Sequence, residues 1–195
     1  MGALLVGGCT GGEPEVEESQ LPLPASVTAS PSASASDEPS AEASPEASGA
    51  ADAGEPERPA AMDKKDADGA AAAAEYFLAL YDHALKTGKT DALKKMSHRA
   101  CGFCDDTLQE ASTIADEKQT YEGGELAGVL VRAYKRDAVT GIYPLDMDVT
   151  QAPAKITESD GTVTWRQDRV ITEARIEMGL RDGEWVVVEI AGRPQ

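Results

Sequence analysis

The chain after residue 70 begins with segments whose apolar residues recur every three or four positions, which is the spacing of an amphipathic helix. Residues 70–86 form the longest such segment, and Gly88 follows it as a stop signal. Thr90 is a predicted N-cap for a short helix that ends near Met96, and a third helix is predicted over residues 103–118. The pattern therefore predicts three consecutive helices.

The apolar period changes to two after Gly123 and Gly124, which predicts strands. The dipeptides Asp160-Gly161 and Asp182-Gly183 are hairpin turn signals. The predicted strand segments are residues 126–134, 142–154, 163–165, 170–178 and 184–191. Helices followed by antiparallel strands predict an α+β fold, in which three N-terminal helices pack under a curved antiparallel sheet of about four strands.

The N-terminal part of the chain has a different composition. Residues 10–62 consist largely of Ser, Ala, Pro, Glu and Gly, and every aromatic residue lies at Tyr76 or later. Such a segment cannot bury enough apolar surface to offset the entropy that is lost on ordering. We expect residues 10–62 to be a disordered acidic tether and residues 63–195 to form a single α+β domain.

The formal net charge of −17 lies to a large extent in this tether. Between residues 10 and 60 there are eleven Asp and Glu residues against Arg58 alone. The sequence contains no basic cluster that would neutralise phosphates, so nucleic acid is not an expected partner. The tether's charge also argues against electrostatic binding to an anionic membrane surface.

The first nine residues predict where the protein is located in the cell. The run Met1-Gly-Ala-Leu-Leu-Val-Gly-Gly-Cys9 resembles a bacterial lipobox, in which small residues precede a cysteine that becomes lipid-modified. We interpret residues 1–9 as a signal peptide remnant, with the true start codon upstream and Cys9 as the lipidation site. Lipid on Cys9 would anchor the protein to the outer face of the cell membrane without a spanning helix. The alternative is a cysteine that stands there by chance.

Cys101 and Cys104 are the other two cysteines, and they flank Gly-Phe. In an exported protein a structural disulfide at the start of the third helix is the favoured interpretation. Two alternatives remain open. The spacing also suits a thiol–disulfide redox site, although no strand precedes it, and a zinc site could add His83 and His98. No metal and no cofactor is expected.

Two further groups of residues have candidate roles. Asp146 and Asp148, with Thr150, match the pattern of phosphotransferases that form an aspartyl-phosphate, but their alternation with apolar residues predicts that both simply face outward on a strand. Aromatic residues on the predicted helices and strands could instead line a cavity, although such residues are more often plain core. The candidate cavity-lining residues are Tyr76, Tyr81, Trp165 and Trp185.

Several stretches resemble a family of actinobacterial lipoproteins that carry a domain of unknown function. The similar stretches are the Tyr-Asp-x-Ala-x-x-Thr-Gly-x-Thr run at 81–90, Ala-Cys-x-x-Cys at 100–104, Tyr-Glu-Gly-Gly at 121–124, Asp-Gly-Thr-Val at 160–163 and Gly-Glu-Trp-Val at 183–186. The order of elements resembles the cone-shaped NTF2-like fold. The resemblance covers residues 63–190 and implies a fold and a location, but no activity.

These observations favour a noncatalytic module of the cell envelope, which binds a protein, a wall component or a small ligand. The alternative is an NTF2-like cavity enzyme of the isomerase or cyclase type, acting on a small hydrophobic ligand. Such an enzyme would need a buried carboxylate or histidine with a shifted pKa inside its cavity. No catalytic residue stands out in the sequence, and a purely structural spacer is a third interpretation.

Overall fold

The computed structural model describes residues 54–194. A 3₁₀ turn at Ala60–Asp63 precedes three helices, and seven strands follow. The helices are α1 (Ala67–Thr87), α2 (Asp91–Met96) and α3 (Gly102–Asp116); the strands are β1 (Thr120–Gly123), β2 (Leu126–Ala133), β3 (Tyr143–Gln151), β4 (Ala154–Thr157), β5 (Val163–Gln167), β6 (Val170–Arg181) and β7 (Glu184–Gly192).

Local chemistry sets the ends of α1. The carboxylate of Asp66 accepts a hydrogen bond from the Gly69 N–H at 3.1 Å, which satisfies one of the free amides of the first turn. At the other end Gly88 adopts φ +70°, and its N–H donates to the Ala84 carbonyl at 2.8 Å. The predicted stop at Gly88 is therefore where the helix ends.

The first turn of α3 is capped by sulfur. Cys101 is the N-cap residue, and its Sγ accepts a hydrogen bond from the Cys104 N–H at 3.1 Å. Cys101 and Cys104 are joined by a disulfide, and both residues are fully buried. The bond thus lies inside the domain, at the point where the chain enters α3.

The strands form two antiparallel sheets rather than one. The larger sheet has the order β2-β3-β6-β7 and the smaller one has the order β1-β4-β5. The predicted single curved sheet of about four strands, and with it the NTF2-like cone, is wrong. The error has a local cause at one predicted strand, because residues 142–154 divide into β3 in the larger sheet and β4 in the smaller one.

Glycine and proline residues cause this break at the bend, which is the point where the chain passes from one sheet to the other. Gly123 and Gly124 adopt φ +74° and +78°, conformations that other residues rarely adopt. Pro153 has no N–H for a ladder, and its carbonyl accepts from the Gly124 N–H at 3.1 Å, while the Ala152 N–H donates to Glu125 at 3.0 Å. The loop between β1 and β2 therefore takes up the hydrogen bonds that a continuous ladder would have made.

The pairing register is nevertheless the same on both sides of the bend. Gln151 pairs with Val170 in the larger sheet, and Ala154 pairs with Gln167 in the smaller sheet, three residues further on one strand and three residues back on the other. The same three stretches of chain run through both sheets, and only β7 is confined to one of them.

The core lies between the helices and the inner face of the larger sheet. Alternate residues of β3 and β6 point inward, and Leu145, Met147, Ile176 and Met178 are fully buried there. Phe77 on the inner side of α1 is fully buried in the same cluster. This packing holds α1 and α3 over one end of the sheet, where the site described below lies.

Hydrogen bonds from two aromatic side chains fasten the segment before α1 to the larger sheet. Trp185 Nε1 donates to the carbonyls of Met62, at 2.9 Å, and Lys64, at 3.2 Å. The hydroxyl of Tyr143 donates to the Lys65 carbonyl at 2.7 Å. The rings of Tyr143 and Trp185 also meet edge to face, 5.3 Å apart. The folded part therefore includes the residues that lead into α1.

The predicted signal remnant, Cys9 and most of the predicted tether lie outside the described residues. Within residues 54–194 no helix is long and apolar enough to cross a membrane.

Candidate functional site

A small apolar cavity lies between the helices and the larger sheet, next to the bend. Its volume is about 120 Å³. The sheet contributes the start of β2 and β6 and the end of β3 and β7, which all lie at the same end of the antiparallel sheet. The lining residues are Leu78, Tyr81, Phe103, Leu126, Val149, Gln151, Val170, Thr172, Ala174, Ile176 and Ile190.

The helical side of the cavity is aromatic. The rings of Tyr81 on α1 and Phe103 on α3 are stacked, with their centres 5.7 Å apart. Phe103 lies between the two disulfide-bonded cysteines, so the bond between Cys101 and Cys104 restricts the backbone that carries it. The Cys-Gly-Phe-Cys sequence thus serves two purposes here, since it caps α3 and places one wall of the cavity.

A row of neutral polar side chains lies at the bend. Gln167 donates to the side-chain carbonyl of Gln151, and Gln151 Nε2 donates to the Tyr121 hydroxyl at 3.3 Å. Burial raises the pKa of Tyr121 to about 12, so its hydroxyl stays protonated. A side chain at Gly124 would collide with the Tyr121 ring, which explains why glycine stands at this position.

The described residues that line the cavity include no side chain that can take up a proton near neutral pH. None of the described residues that line it is Asp, Glu, His, Cys, Lys or Arg. Tyr81 has the one titratable side chain among them, and burial raises its pKa well above the ordinary value of a tyrosine. A phenol in that state cannot serve as a base near neutral pH. What remains is an apolar surface with the polar groups of Tyr81, Gln151 and Thr172.

The structure separates the four aromatic residues that the sequence suggested as cavity lining. Tyr81 lines the cavity, whereas Tyr76 and Trp185 line a different surface depression of about 450 Å³. Trp165 lies on β5, where its ring stacks on Tyr121 with the ring centres 6.5 Å apart, and about a third of it is exposed. Periodicity alone could not distinguish these locations, because each of the four residues lies on a face with apolar neighbours.

The two histidines do not meet at a common site with the cysteines. His83 is buried on α1, and its Nε2 has no hydrogen-bond partner among the described residues. His98 accepts the Ala100 N–H through Nδ1 at 3.2 Å. Residues 54–194 contain no group of three or more His, Cys, Asp or Glu side chains that is arranged to hold a metal ion. The sulfurs are engaged in the disulfide.

Asp146 has a structural role that its position in the sequence does not reveal. It lies on the outer side of β3 but is only 5 % exposed. Arg175 Nε donates to Asp146 Oδ1 at 2.8 Å, and the Tyr134 hydroxyl donates to Oδ2 at 2.8 Å. The Arg175 guanidinium, helped by Tyr134, holds the pKa of Asp146 below its usual value. The guanidinium groups of Arg132 and Arg175 lie 4.6 and 4.8 Å from the Tyr134 ring centre.

This network follows from the pairing of oppositely charged residues on neighbouring strands. Asp146 is opposite Arg175 on β6 and Arg132 on β2. Opposite charges on neighbouring strands are a recognisable pattern only when the register is known. Asp148, two residues along, pairs with Arg193 at 2.9 Å. These contacts leave neither carboxylate as a nucleophile beside a phosphate site, so both aspartates stabilise the outer face of the sheet.

Fold and site together define an α+β domain with a small apolar cavity. The chain belongs to DUF6318, a family of unknown function, whose model matches residues 41–191. The match covers both sheets and all three helices, but it begins after the segment that contains Cys9.

Several solved structures are similar to this chain, and two of them illustrate the likeness. One is the intermembrane space region of the chloroplast protein ARC6, with 12 % identity and a TM-score of 0.48, over 67 % of this chain and 98 % of the other. The other is a periplasmic fragment of TraM, with 18 % identity and a TM-score of 0.43, over 65 % and 96 %. At these TM-scores neither likeness assigns a fold or a function. No curated protein matches the chain.

Proposed function

We propose that this protein is a noncatalytic binding module of the cell envelope, held on the outer face of the membrane by lipid on Cys9. Its ligand places one apolar group in the cavity between α1, α3 and the larger sheet. The observation that carries the proposal is the lining of that cavity, which is apolar apart from three neutral polar side chains. A pocket of this composition binds through burial of apolar surface and orients its ligand through a few hydrogen bonds.

The size of the cavity limits what enters it. Ligand pockets usually measure about 300–1,000 Å³, whereas an apolar cavity of about 150 Å³ accommodates benzene. At about 120 Å³ the cavity holds a group no larger than one hydrophobic side chain or the end of an acyl chain. Val170 lines the cavity and is 41 % exposed, so it lies at the mouth through which such a group enters. The rest of the ligand stays outside.

Two observations support the extracytoplasmic location. The lipobox-like sequence ends at Cys9. The disulfide between Cys101 and Cys104 is of the structural kind that persists in oxidising compartments and is rare in the cytosol. With Cys9 lipidated and the other two cysteines paired, all three cysteines have a role.

A native mass spectrum of the full-length protein, extracted from its own envelope in mild detergent, tests the location. We expect the added mass of a lipid on Cys9. An unmodified Cys9 would contradict the membrane anchor. Any small molecule that survives gentle activation identifies the natural ligand class.

Benzene is a suitable probe for the cavity, because ligands that bind only the native state raise the unfolding temperature. We expect benzene to raise it for the full-length chain. Ala174→Leu, which fills the cavity from β6, should abolish the effect, and Val170→Phe should abolish it by blocking the mouth. Ala127→Leu is the matched control, since Ala127 lies on the exposed side of β2. The cavity would be refuted as a binding site if benzene did not stabilise the wild-type chain. It would also be refuted if benzene stabilised Ala174→Leu and Val170→Phe as much as the wild type.

A further inference from the structure

A second cleft lies on a different part of the surface, where α2, the start of α3 and the end of β6 meet. Its volume is about 600 Å³, and it is open to solvent. Four permanent cations line it, namely Lys94, Lys95, Arg99 and Arg181. Asp91 and Asp105 also line it, which leaves two positive charges in excess. The first three of these cations and His98 come from one short stretch, Lys-Lys-Met-Ser-His-Arg.

The four cations of the cleft are not held in ion pairs. None of the four forms an ion pair with a carboxylate of the described part of the chain. Arg181 is instead fixed by neutral acceptors, the carbonyls of Lys95 at 2.7 Å and Ser97 at 3.2 Å. Its guanidinium is therefore held in place with its charge intact. In a chain with a net charge of −17, a local excess of positive charge is unusual.

His98 adds a hydrogen-bond donor to the cleft. Because its Nδ1 accepts the Ala100 N–H, the proton of the neutral ring lies on Nε2. The His98 backbone is also fixed, since its N–H donates to the Val187 carbonyl at 2.9 Å. Nε2 of His98 thus presents an N–H, and backbone hydrogen bonds hold the residue at the surface that it lines.

The cleft continues into a neighbouring one. His98 and Arg181 also line a depression of about 370 Å³, to which the loop between β2 and β3 contributes Arg136. That loop is ordered by Asp137, whose carboxylate accepts the Thr140 N–H at 2.7 Å and the Val139 N–H at 3.0 Å. Cations therefore extend along two adjoining clefts rather than around a single point.

We propose that these adjoining clefts bind an extended phosphate-bearing ligand. Lys and Arg side chains with a His N–H donor suit phosphate oxygens, and Arg presents a fork of N–H groups to such oxygens. The two clefts together accommodate several linked phosphates, with Lys94 and Arg99 at one end and Arg136 at the other. The site is separate from the apolar cavity, which shares none of these residues.

Titration of the full-length chain with inorganic phosphate, pyrophosphate and tripolyphosphate at about 0.15 M ionic strength tests the proposal, because weak surface attraction is largely screened there. We expect affinity to rise along this series. Lys94 and Arg99 are both exposed, so their side chains can reach a ligand in the cleft. Lys94→Gln/Arg99→Gln should weaken pyrophosphate binding at least about tenfold, because the charged hydrogen bonds to phosphate are lost. Arg136→Gln should mainly reduce the gain from pyrophosphate to tripolyphosphate.

Lys118→Gln/Arg166→Gln is the matched control, because it removes the same charge from exposed positions that line neither cleft. Equal weakening in the control would overturn the proposal, and so would the absence of saturable binding to the wild-type chain. Sedimentation with vesicles of phosphatidylcholine, with or without phosphatidylglycerol, distinguishes the source. Retention that needs phosphatidylglycerol and is lost in Lys94→Gln/Arg99→Gln identifies a lipid headgroup, whereas binding of the soluble probes alone identifies a soluble or wall-borne phosphate. Failure here leaves the benzene test of the cavity unaffected.

Discussion

Reduction of the disulfide between Cys101 and Cys104 is the perturbation whose effect the structure defines best. The bond closes a loop of only four residues, so the chain-entropy model assigns it a stabilisation of about 2 kcal/mol at 25 °C. Both residues are fully buried, and reduction leaves their side chains in place. The expected loss is therefore about 2 kcal/mol, with little change in core volume.

Urea unfolding of the full-length chain measures this loss, with the fluorescence of the buried Trp185 as one reporter. For a domain of this size a loss of about 2 kcal/mol moves the urea midpoint down by about 1 M. Mass spectrometry of the same samples counts the two hydrogens that reduction adds. Cys9→Ser should respond to reductant as the wild type does, whereas Cys101→Ser/Cys104→Ser should not respond. An unchanged midpoint in a sample that has demonstrably been reduced would refute the reasoning.

Two further substitutions test the outer face of the sheet and the bend. Because its ion pair lowers the pKa of Asp146 in the folded state, that carboxylate contributes stability above about pH 4 and loses the contribution as the pH falls further. Asp146→Asn should therefore lower the urea midpoint at neutral pH but flatten its decline in acid, and a parallel decline in both proteins would contradict this. Gly161→Ala should destabilise the domain by about 1–2 kcal/mol, because Gly161 has a positive φ. Gly124→Ala should destabilise it by more, because Gly124 also has a positive φ and its new methyl group would meet the Tyr121 ring. Equal urea midpoints for the two variants would contradict the close approach of Tyr121.

The helices could be predicted from the sequence because their signals are local. Apolar spacing and Gly88 placed the body and the end of α1, although the helix begins at Ala67 rather than at residue 70. The third helix was predicted to continue to Lys118, but Lys118 adopts φ +57° and the helix ends at Asp116. A single residue in the left-handed region leaves no mark on the apolar pattern.

The division into two sheets could not be predicted in the same way. Alternation continues through Ala152 and Pro153, so the pattern predicts one strand over residues 142–154, whereas β3 ends at Gln151 and β4 begins at Ala154. The break depends on hydrogen bonds with the loop after Gly123, which is about 30 residues away in the chain. Pro153 indicates a possible break in the strand, but only the hydrogen bonds with the loop between β1 and β2 determine that the strand pairing stops there.

The candidate sites were predictable only in part. Tyr81 was among the predicted cavity residues, and the cysteine pair was favoured as a disulfide before its position beside Phe103 was known. The cavity itself forms where α1 and α3 meet four strands, so no single segment of sequence carries it. The cleft that we propose for a phosphate-bearing ligand likewise needs Arg181, more than 80 residues after Lys94, so its cations do not form one basic cluster in the sequence.

The hydrogen bonds that fasten the segment before α1 have a mechanical consequence. If the protein is tethered through its N-terminal part, any pull on the tether reaches the domain through the 3₁₀ turn at Ala60–Asp63. Trp185 and Tyr143 bind the backbone just beyond this turn and belong to two strands of the larger sheet. Tension would pass directly into the sheet before it could unwind α1 and open the cavity. These hydrogen bonds would thus protect the wall that α1 contributes to the cavity when the chain is pulled from its N-terminal side.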